Sequence, residues 1–258
     1  MGQPNMGQPN MAQPHTAPAP RTARLGAACA AAALALCLAG ALGHRWGLLG
    51  LRPALGAFTL GLLAAAVAAA LSLWGLVAAW RRMRRGWGLA IGGLAVALAV
   101  LVMPVRMLVR ARGLPPIHDI STDLEQPPAF VAVLPLRRAA PNPAEPGGPA
   151  LAAAQRRAYP DIAPLRLSIP PRAAFQAARR AVGALRWTLV AEAPEEGRIE
   201  ASDRTFWFGF VDDVVVRIVP EGGGSRVDVR STSREGVGDL GTNAARVRRF
   251  LALLRQAE

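Results

Sequence analysis

Residues 226–250 read RVDVRSTSREGVGDLGTNAARVRRF, and this stretch decides how the C-terminal half of the chain folds. Val227 and Val229 alternate with polar residues, as in a strand with one buried face. The segment that follows is rich in Ser, Arg and Gly and predicts a turn. Beyond it, from about Asp239, apolar residues recur at helical spacing and predict a final helix packed on the sheet. These residues are Val247, Phe250, Leu251 and Leu254.

The same stretch gathers more hydrogen-bonding side chains than any other part of the chain. A helix N-terminus offers unpaired N–H groups, and arginines add forked donors suited to phosphate or carboxylate. We therefore consider an anion site formed by Arg230, Ser231, Ser233, Arg234, Asn243 and Arg246. A structural interpretation competes with it and carries more weight. In that interpretation Asp239 caps the helix, its charge repels an anion, and the arginines pair with Asp213, Asp228 and Asp161.

The remaining candidates for chemistry are acidic. Asp212 and Asp213 are adjacent, so on a regular strand they point to opposite faces and do not form an acid–base pair. Asp213 is expected to pair with Arg217 on its own face. Asp161, Asp212 and Asp239 lack the spacing of a calcium loop, and no Cys/His cluster accompanies them, so we predict no metal and no cofactor.

Nucleophilic catalysis has little support in the C-terminal half. Ser231 and Ser233 are candidate nucleophiles, but a triad also needs a base. His118 is the only histidine after residue 112, and it lies in a linker. A solvated linker histidine explains it more simply.

Upstream of this stretch, short strands and one helix are expected. Residues 165–169, 187–191, 198–204 and 214–219 read as strands, and 220–224 as a hairpin turn. Phe206, Phe208 and Phe210 alternate and predict a further half-buried strand. Pro170-Pro171 opens a helix whose apolar positions are Phe175, Ala178, Val182 and Leu185. The prediction is an α+β domain: an antiparallel sheet with two helices packed on one face.

The N-terminal half contains three apolar segments, at 25–43, 54–80 and 87–105. A helix needs about 20 apolar residues to cross a bilayer, so three transmembrane helices are predicted. Trp46, Trp80 and Trp87 lie at segment ends, as interfacial aromatics do. The predicted organisation is a disordered tail (1–24), three transmembrane helices (25–105), a linker (106–118) and the α+β domain (119–258).

Charge distribution suggests an orientation. Residues 1–112 carry 11 arginines and no acidic residue, whereas the remainder is nearly neutral. This excess beside apolar segments favours a role in membrane orientation over nucleic-acid binding. The densest cluster, at 81–85, predicts a cytoplasmic loop, a bacterial inner-membrane location and a periplasmic C-terminal domain. In the less favoured alternative, the first segment is a signal peptide cleaved near Ala39–Ala41, and the domain is still outside.

Four segments of the C-terminal half, at 121–130, 158–165, 198–218 and 228–250, resemble the domain of unknown function 1499 family. They read STDLEQPPAF, AYPDIAPL, RIEASDRTFWFGFVDDVVVRI and DVRSTSREGVGDLGTNAARVRRF. The resemblance covers about residues 113–258. It implies a small exported or membrane-tethered bacterial domain with no established activity, so it assigns no catalytic residue. Its motif positions coincide with the candidate anion-binding and acidic residues named above.

Three functions remain open. The first is a membrane-anchored envelope protein whose outer domain is a binding or accessory module for an anionic lipid headgroup or an envelope protein. The second is a carboxylate-dependent hydrolase. The third is a purely structural protein-interaction domain. A non-enzymatic role is favoured.

Overall fold

The structure, a computed structural model, describes residues 19, 21–81 and 86–256 of the chain. Most of the predicted disordered tail and of the arginine-rich loop at 81–85 therefore lies outside the described residues. The chain forms two compact units. One combines the chain before Leu42 with Leu49–Pro104, and the other combines Leu42–Leu48 with Val105–Glu258.

Three apolar helices form the first unit. The last residues of the first and third of these helices belong to the second unit. The three helices are α1 (Arg21–Arg45), α2 (Leu51–Arg81) and α3 (Trp87–Ala111). Each is long and apolar enough to cross a membrane, and an 18-residue stretch within each has a mean hydropathy of 2.2, 2.2 and 2.4 respectively. Two predicted boundaries were wrong, because 21–24 and 106–111 are helical rather than tail and linker. Arginine is a good helix former, so the helices continue past the apolar segments.

Small residues pack the three helices of the first unit together. Ala30, Ala68 and Ala97 form a buried cluster at the contact between the helices. Around Ser72 the backbones approach so closely that a Cβ on Gly26 or Gly93 would lie 2.5 or 2.7 Å from its Oγ. Close approach through small residues is how membrane helices associate without a hydrophobic driving force. The larger apolar side chains are exposed, as expected for surfaces that contact lipid.

Besides the ends of α1 and α3, the described part of the second unit contains a sheet, three complete helices and two short 3-10 turns. Its strands are β1 (Asp119–Ser121), β2 (Leu165–Leu167), β3 (Thr188–Ala193), β4 (Arg198–Arg204), β5 (Val211–Glu221) and β6 (Gly224–Ser233). Its helices are α4 (Gly148–Ala158), α5 (Pro171–Ala184) and α6 (Thr242–Arg255). The 3-10 turns are Leu134–Arg137 and Pro194–Glu196.

The sheet is antiparallel, with the order β1-β6-β5-β4-β3. Strand β2 pairs with the same edge of β6 as β1, nearer to the start of β6. The β5–β6 hairpin turns at Gly222 and Gly223, both with positive φ, as the Gly-rich sequence predicts. In its register Val214 lies opposite Ser231, and Val216 lies opposite Val229. The predicted α+β fold with an antiparallel sheet is confirmed.

Helices α5 and α6 cover one face of the sheet, which we call the helix side. Val214, Val216 and Ile218 of β5 belong to a single buried core with Phe250 and Leu251 of α6. Trp187 stacks on Phe250, with ring centroids 5.5 Å apart. The apolar residues whose spacing predicted both helices therefore make the contacts of the core. Helix α4 was not predicted, because its Ala-rich sequence follows a Pro-rich stretch and shows little apolar periodicity.

The other face of the sheet is covered by irregular chain, and we call it the loop side. Phe130 and Val133 pack there against Val215. The sequence indicated only a Pro-rich, irregular stretch in this region. We call residues 122–147 the covering segment, because they bury a sheet face that would otherwise meet solvent.

The strand predicted from the alternating phenylalanines was wrong. Thr205 donates its N–H to the carbonyl of Phe210, which closes a turn between β4 and β5. Gly209 has a φ of 71°, a left-handed value that favours glycine. Phe206 is 74% exposed, whereas Phe208 and Phe210 stack on each other at 5.3 Å. Every second residue is a phenylalanine here, but a turn does not have the strand geometry that such a pattern predicts.

Candidate functional site

The candidate site residues separate onto the two faces of the sheet. Side chains alternate along a strand, so Asp212 and Asp213 point to opposite faces, as predicted. The helix-side cluster consists of Asp203, Asp212, Ser231, Ser233, Asn243 and Arg246. The loop-side cluster consists of Asp119, Arg137, Ser202, Asp213, Arg230 and Arg234. The residues that the sequence grouped together therefore form two sets.

Arg246 is the centre of the helix-side cluster and is only 1% exposed. Its Nη2 lies 2.6 Å from Asp212 Oδ2, and its Nε donates to Asp203 Oδ2 at 2.9 Å. Its Nη1 donates to Asn243 Oδ1 at 2.5 Å and to Ser231 Oγ at 3.2 Å. All three nitrogens of the guanidinium thus have partners inside the domain. Pairing and hydrogen bonding together are what make a buried charge tolerable.

Asn243 connects this cluster to the chain that precedes β1. Its Nδ2 donates to the carbonyl of His118 at 3.0 Å and to Ser233 Oγ at 2.9 Å. Its Oδ1 accepts from Ser231 Oγ at 2.6 Å. Ser231 and Ser233 are therefore parts of a closed polar network. Neither has a histidine side chain among its hydrogen-bond partners in the described structure.

Asp239 occupies the N-terminus of α6. Its Oδ1 and Oδ2 accept hydrogen bonds from the N–H groups of Gly241 and Asn243 at 2.9 and 2.5 Å. Burial, with a contribution from the charge of Asp212, raises the pKa of Asp239 above its usual value. The helix begins at Thr242, three residues later than predicted, because Leu240 and Gly241 have positive φ angles of 54° and 80°, outside the range of a right-handed helix. A carboxylate of the chain itself therefore bonds two of the N–H groups at the helix end to which an anion would bind.

Arg230 forms the first ion pair of the loop side. Its Nε and Nη2 contact the two carboxylate oxygens of Asp119 at 2.9 and 2.8 Å, a bidentate arrangement. The ring centroid of Phe130 lies 5.0 Å from the guanidinium carbon, within range for a cation–π contact. Nη2 also donates to the carbonyl of Ala144 in the covering segment at 2.8 Å. The arginine thus fastens that segment to β6 and β1.

Asp213 forms the second ion pair and is completely buried. It accepts from Arg137 Nη1 at 2.6 Å, from Arg234 Nε and Nη2 at 2.9 Å, and from Ser202 Oγ at 2.6 Å. Burial acts to raise the pKa of Asp213, but the hydrogen bonds from Arg234, Ser202 and Arg137 outweigh it and hold that pKa below its usual value. This carboxylate is therefore ionised and fixed in place.

The predicted partner of Asp213 was wrong. Arg217 lies on the same face of β5 but four residues away, about 13 Å along a strand, which exceeds ion-pair reach. It pairs instead with Asp123 at 2.8 Å and with Asp228 at 2.9 Å. Arg137, the partner that sequence reasoning missed, comes from the covering segment. No local pattern places that segment beside β5.

Glu200 is a further buried carboxylate that the sequence did not single out. It lies on β4 opposite Val215, on the loop side, and is fully buried. Its two oxygens accept the N–H groups of Val131, Ala132 and Val133 at 2.9–3.1 Å. It also accepts a hydrogen bond from Arg198. Glu200 thus holds the covering segment by its backbone. The only sequence signal is a charged residue at a position that alternates with apolar ones.

The sequence model of the family described as Protein of unknown function (DUF1499) matches residues 119–254, just over half of the chain. The chain belongs to this family. The match confirms the resemblance inferred from the four motifs. It begins at the first residue of β1 and ends within α6, so it includes both clusters and excludes the apolar helices. No curated protein matches the chain.

The last acidic candidate is on the surface of the DUF1499 domain. Asp161 pairs with Arg248 at 2.6 Å, and both side chains are about half exposed. The guanidinium of Arg248 also lies over the ring of Tyr159, 5.3 Å from its centroid. Asp161 belongs to neither cluster, and it forms no metal-binding group with Asp212 and Asp239 among the described residues.

Two shallow depressions lie on the surface of the DUF1499 domain, with volumes of about 320 and 430 Å³. The first lies between the start of the covering segment and the end of α4, and the second lies beside the β5–β6 turn. Neither is lined by a member of the helix-side or loop-side cluster. Among the described residues, no group of three or more His, Cys, Asp or Glu side chains is placed to hold a metal ion.

Proposed function

We propose that this DUF1499 protein is a membrane-anchored accessory protein of the bacterial cell envelope, and that its domain binds a partner without catalysing a reaction. The observation that carries the non-catalytic part of the proposal is the internal pairing of the candidate site residues. The guanidiniums of Arg230 and Arg246 are bonded to carboxylates inside the fold. Three helices able to cross a membrane precede the domain. The domain thus contains buried ion pairs and follows apolar helices in the chain.

The same pairing argues against the carboxylate-dependent hydrolase. A catalytic carboxylate must reach the substrate and exchange a proton near the working pH. Asp212 and Asp213 are buried and bound to arginine, and a lowered pKa keeps Asp213 ionised. Asp239 has a raised pKa, but both of its oxygens accept backbone N–H groups. No observation therefore favours an enzyme over a binding module.

Of the three arginines proposed to bind an anionic partner, Arg234 is the one that we retain as a binding residue. Among the three arginines proposed for the site, its side chain is the one with appreciable exposure, 22%. Its Nε and Nη2 bond Asp213, and its Nη1 donates to the carbonyl of Leu136 at 3.1 Å. A guanidinium has five N–H donors, so two N–H groups of Arg234 remain for a lipid headgroup or for a carboxylate of an envelope protein.

Inorganic phosphate provides a test of this site. Phosphate should raise the unfolding temperature of the full chain in detergent micelles, because a ligand that binds only the folded state stabilises it. The rise should be absent in Arg234→Gln and present in Arg166→Gln, whose arginine forms an exposed pair with Glu221. No rise in the unaltered protein would remove the anion from the proposal and leave the accessory role.

The periplasmic placement is tested separately by reporter fusions. The support for it is the arginine distribution, which favours a cytoplasmic loop between α2 and α3. Alkaline phosphatase fused after Glu258 should be active in cells, and a green fluorescent protein fused at the same site should be dark. An inactive phosphatase fusion together with a fluorescent green fluorescent protein fusion would place the domain in the cytoplasm and contradict this part of the proposal.

A further inference from the structure

Four large apolar side chains are exposed at one end of the DUF1499 sheet. Phe206 and Trp207 lie in the turn that joins β4 to β5, and they are 74% and 40% exposed. Val237 and Leu240 lie in the loop from β6 to α6, and they are 80% and 53% exposed. Strand β4 ends, β5 begins and β6 ends at this edge, so both loops share one end of the sheet.

The loop that carries Val237 and Leu240 packs on the chain that follows α3. The N–H of Asp239 donates to the carbonyl of Ile117 at 3.2 Å. A Cβ on Gly238 would lie 3.0 Å from the Cα of Pro116. Helix α3 ends at Ala111, and six residues span at most about 20 Å. This loop is therefore held close to the point where the third apolar helix ends.

The turn that carries Phe206 and Trp207 packs on the end of α1. Leu42–Leu48 belong to the same compact unit as the domain. Arg45, the last residue of α1, donates from Nη1 to the carbonyls of Thr205 at 2.9 Å and Phe206 at 2.6 Å. Arg204 returns a hydrogen bond from Nη2 to the carbonyl of Arg45 at 2.9 Å. Both exposed apolar loops thus contact chain that leads directly into a helix able to span a membrane.

We propose that Phe206, Trp207, Val237 and Leu240 form a second membrane contact, inserted into the lipid interface around the anchor. This inference rests on the proposed membrane anchoring. Trp favours the headgroup level of a bilayer, and Arg45 and Arg204 beside the aromatic turn suit anionic headgroups. Exposed apolar side chains gathered at one place mark an interaction surface. Because this surface adjoins the ends of two helices able to span a membrane, we infer that it contacts lipid. The contact fixes which end of the domain faces the bilayer.

Lipid quenching of a polarity-sensitive fluorophore tests the contact in the full chain. The two native cysteines, Cys29 and Cys37, are replaced by alanine, and single cysteines are introduced as Trp207→Cys, Val237→Cys, Glu195→Cys and Leu63→Cys. Glu195 is exposed in the β3–β4 connection at the opposite end of the sheet, and Leu63 is exposed on α2. Each labelled protein is reconstituted in vesicles containing phosphatidylglycerol, with a nitroxide placed either near the headgroup or deep in the acyl chain.

Labels at 207 and 237 should emit at shorter wavelength than the label at 195. The shallow nitroxide should also quench the labels at 207 and 237 more strongly than it quenches the label at 195. The deep nitroxide should quench the label at 63. If 63 is quenched but 207 and 237 behave like 195, the anchor stands and the second membrane contact is wrong. If 63 is not quenched, the anchor itself fails, and the inference fails with it. Blue-shifted emission at 207 and 237 without nitroxide quenching would mean that protein covers the surface, which also overturns the inference.

Discussion

Replacing Arg246 with methionine is expected to lower the free energy of unfolding of the DUF1499 domain by about 3–5 kcal/mol. Methionine keeps much of the apolar volume but leaves the carboxylate of Asp212 buried without a counter-charge. It also removes the donor to Asn243 Oδ1 and to Ser231 Oγ. An uncompensated buried charge costs far more than a lost surface contact, so the effect should be large.

The matched control for this substitution is Arg248→Met, two residues further along α6. Arg248 pairs with Asp161 in a half-exposed position, and such a pair contributes less than about 1 kcal/mol. Urea denaturation of the full chain in detergent micelles, followed by circular dichroism in the β-sheet region, measures both variants. Equal losses in the two variants would mean that the helix-side cluster has no special structural role.

Replacing Glu200 with glutamine is expected to cost about 3 kcal/mol, which is in the range for charged hydrogen bonds lost in a buried site. The carboxylate accepts three backbone N–H groups of the covering segment, whereas a glutamine side chain has one acceptor oxygen and turns an NH₂ group toward those donors. The pair with Arg198 is also weakened. The covering segment should detach more readily than the sheet unfolds.

Two measurements separate these effects. Urea denaturation gives the global loss, and the rate of trypsin cleavage after the exposed Arg138 reports local opening of the covering segment. Glu196→Gln is the control, because Glu196 bonds the same Arg198 from an exposed position. Cleavage that is as slow in Glu200→Gln as in Glu196→Gln would contradict the role assigned to Glu200.

Sequence patterns predicted the helices, strands and turns whose formation depends on neighbouring residues in the chain. The apolar spacing of α6 and the Gly-rich turn of the β5–β6 hairpin are properties of contiguous residues, and both were confirmed. The opposite orientations of Asp212 and Asp213 also follow from strand geometry alone. The alternating phenylalanines show the limit of this reasoning. A turn with a left-handed glycine can carry the same alternation as a strand.

The partners of the charged residues depend on long-range packing. Arg137 reaches Asp213 only because the covering segment folds across the loop side of the sheet, 76 residues away in the chain. Arg230 pairs with Asp119 because β1 pairs with the edge of β6. Neither this strand pairing nor the position of the covering segment can be predicted from a periodic pattern in the sequence. The burial of Glu200 follows from the same segment. Sequence reasoning therefore identified many of the polar residues and the opposite faces of Asp212 and Asp213, but not the partners that each arginine has on those faces.

A double-mutant cycle on Arg246 and Asp212 tests most directly whether the guanidiniums are held by internal carboxylates. Arg246→Met, Asp212→Leu and the combined variant are compared with the unaltered protein by urea denaturation. The account predicts a coupling free energy of about 1–3 kcal/mol, because the second substitution removes the charge that the first leaves unpaired. Losses that add to within about 0.5 kcal/mol, as for independent sites, would contradict the pairing. The arginines would then again be candidates for binding a ligand.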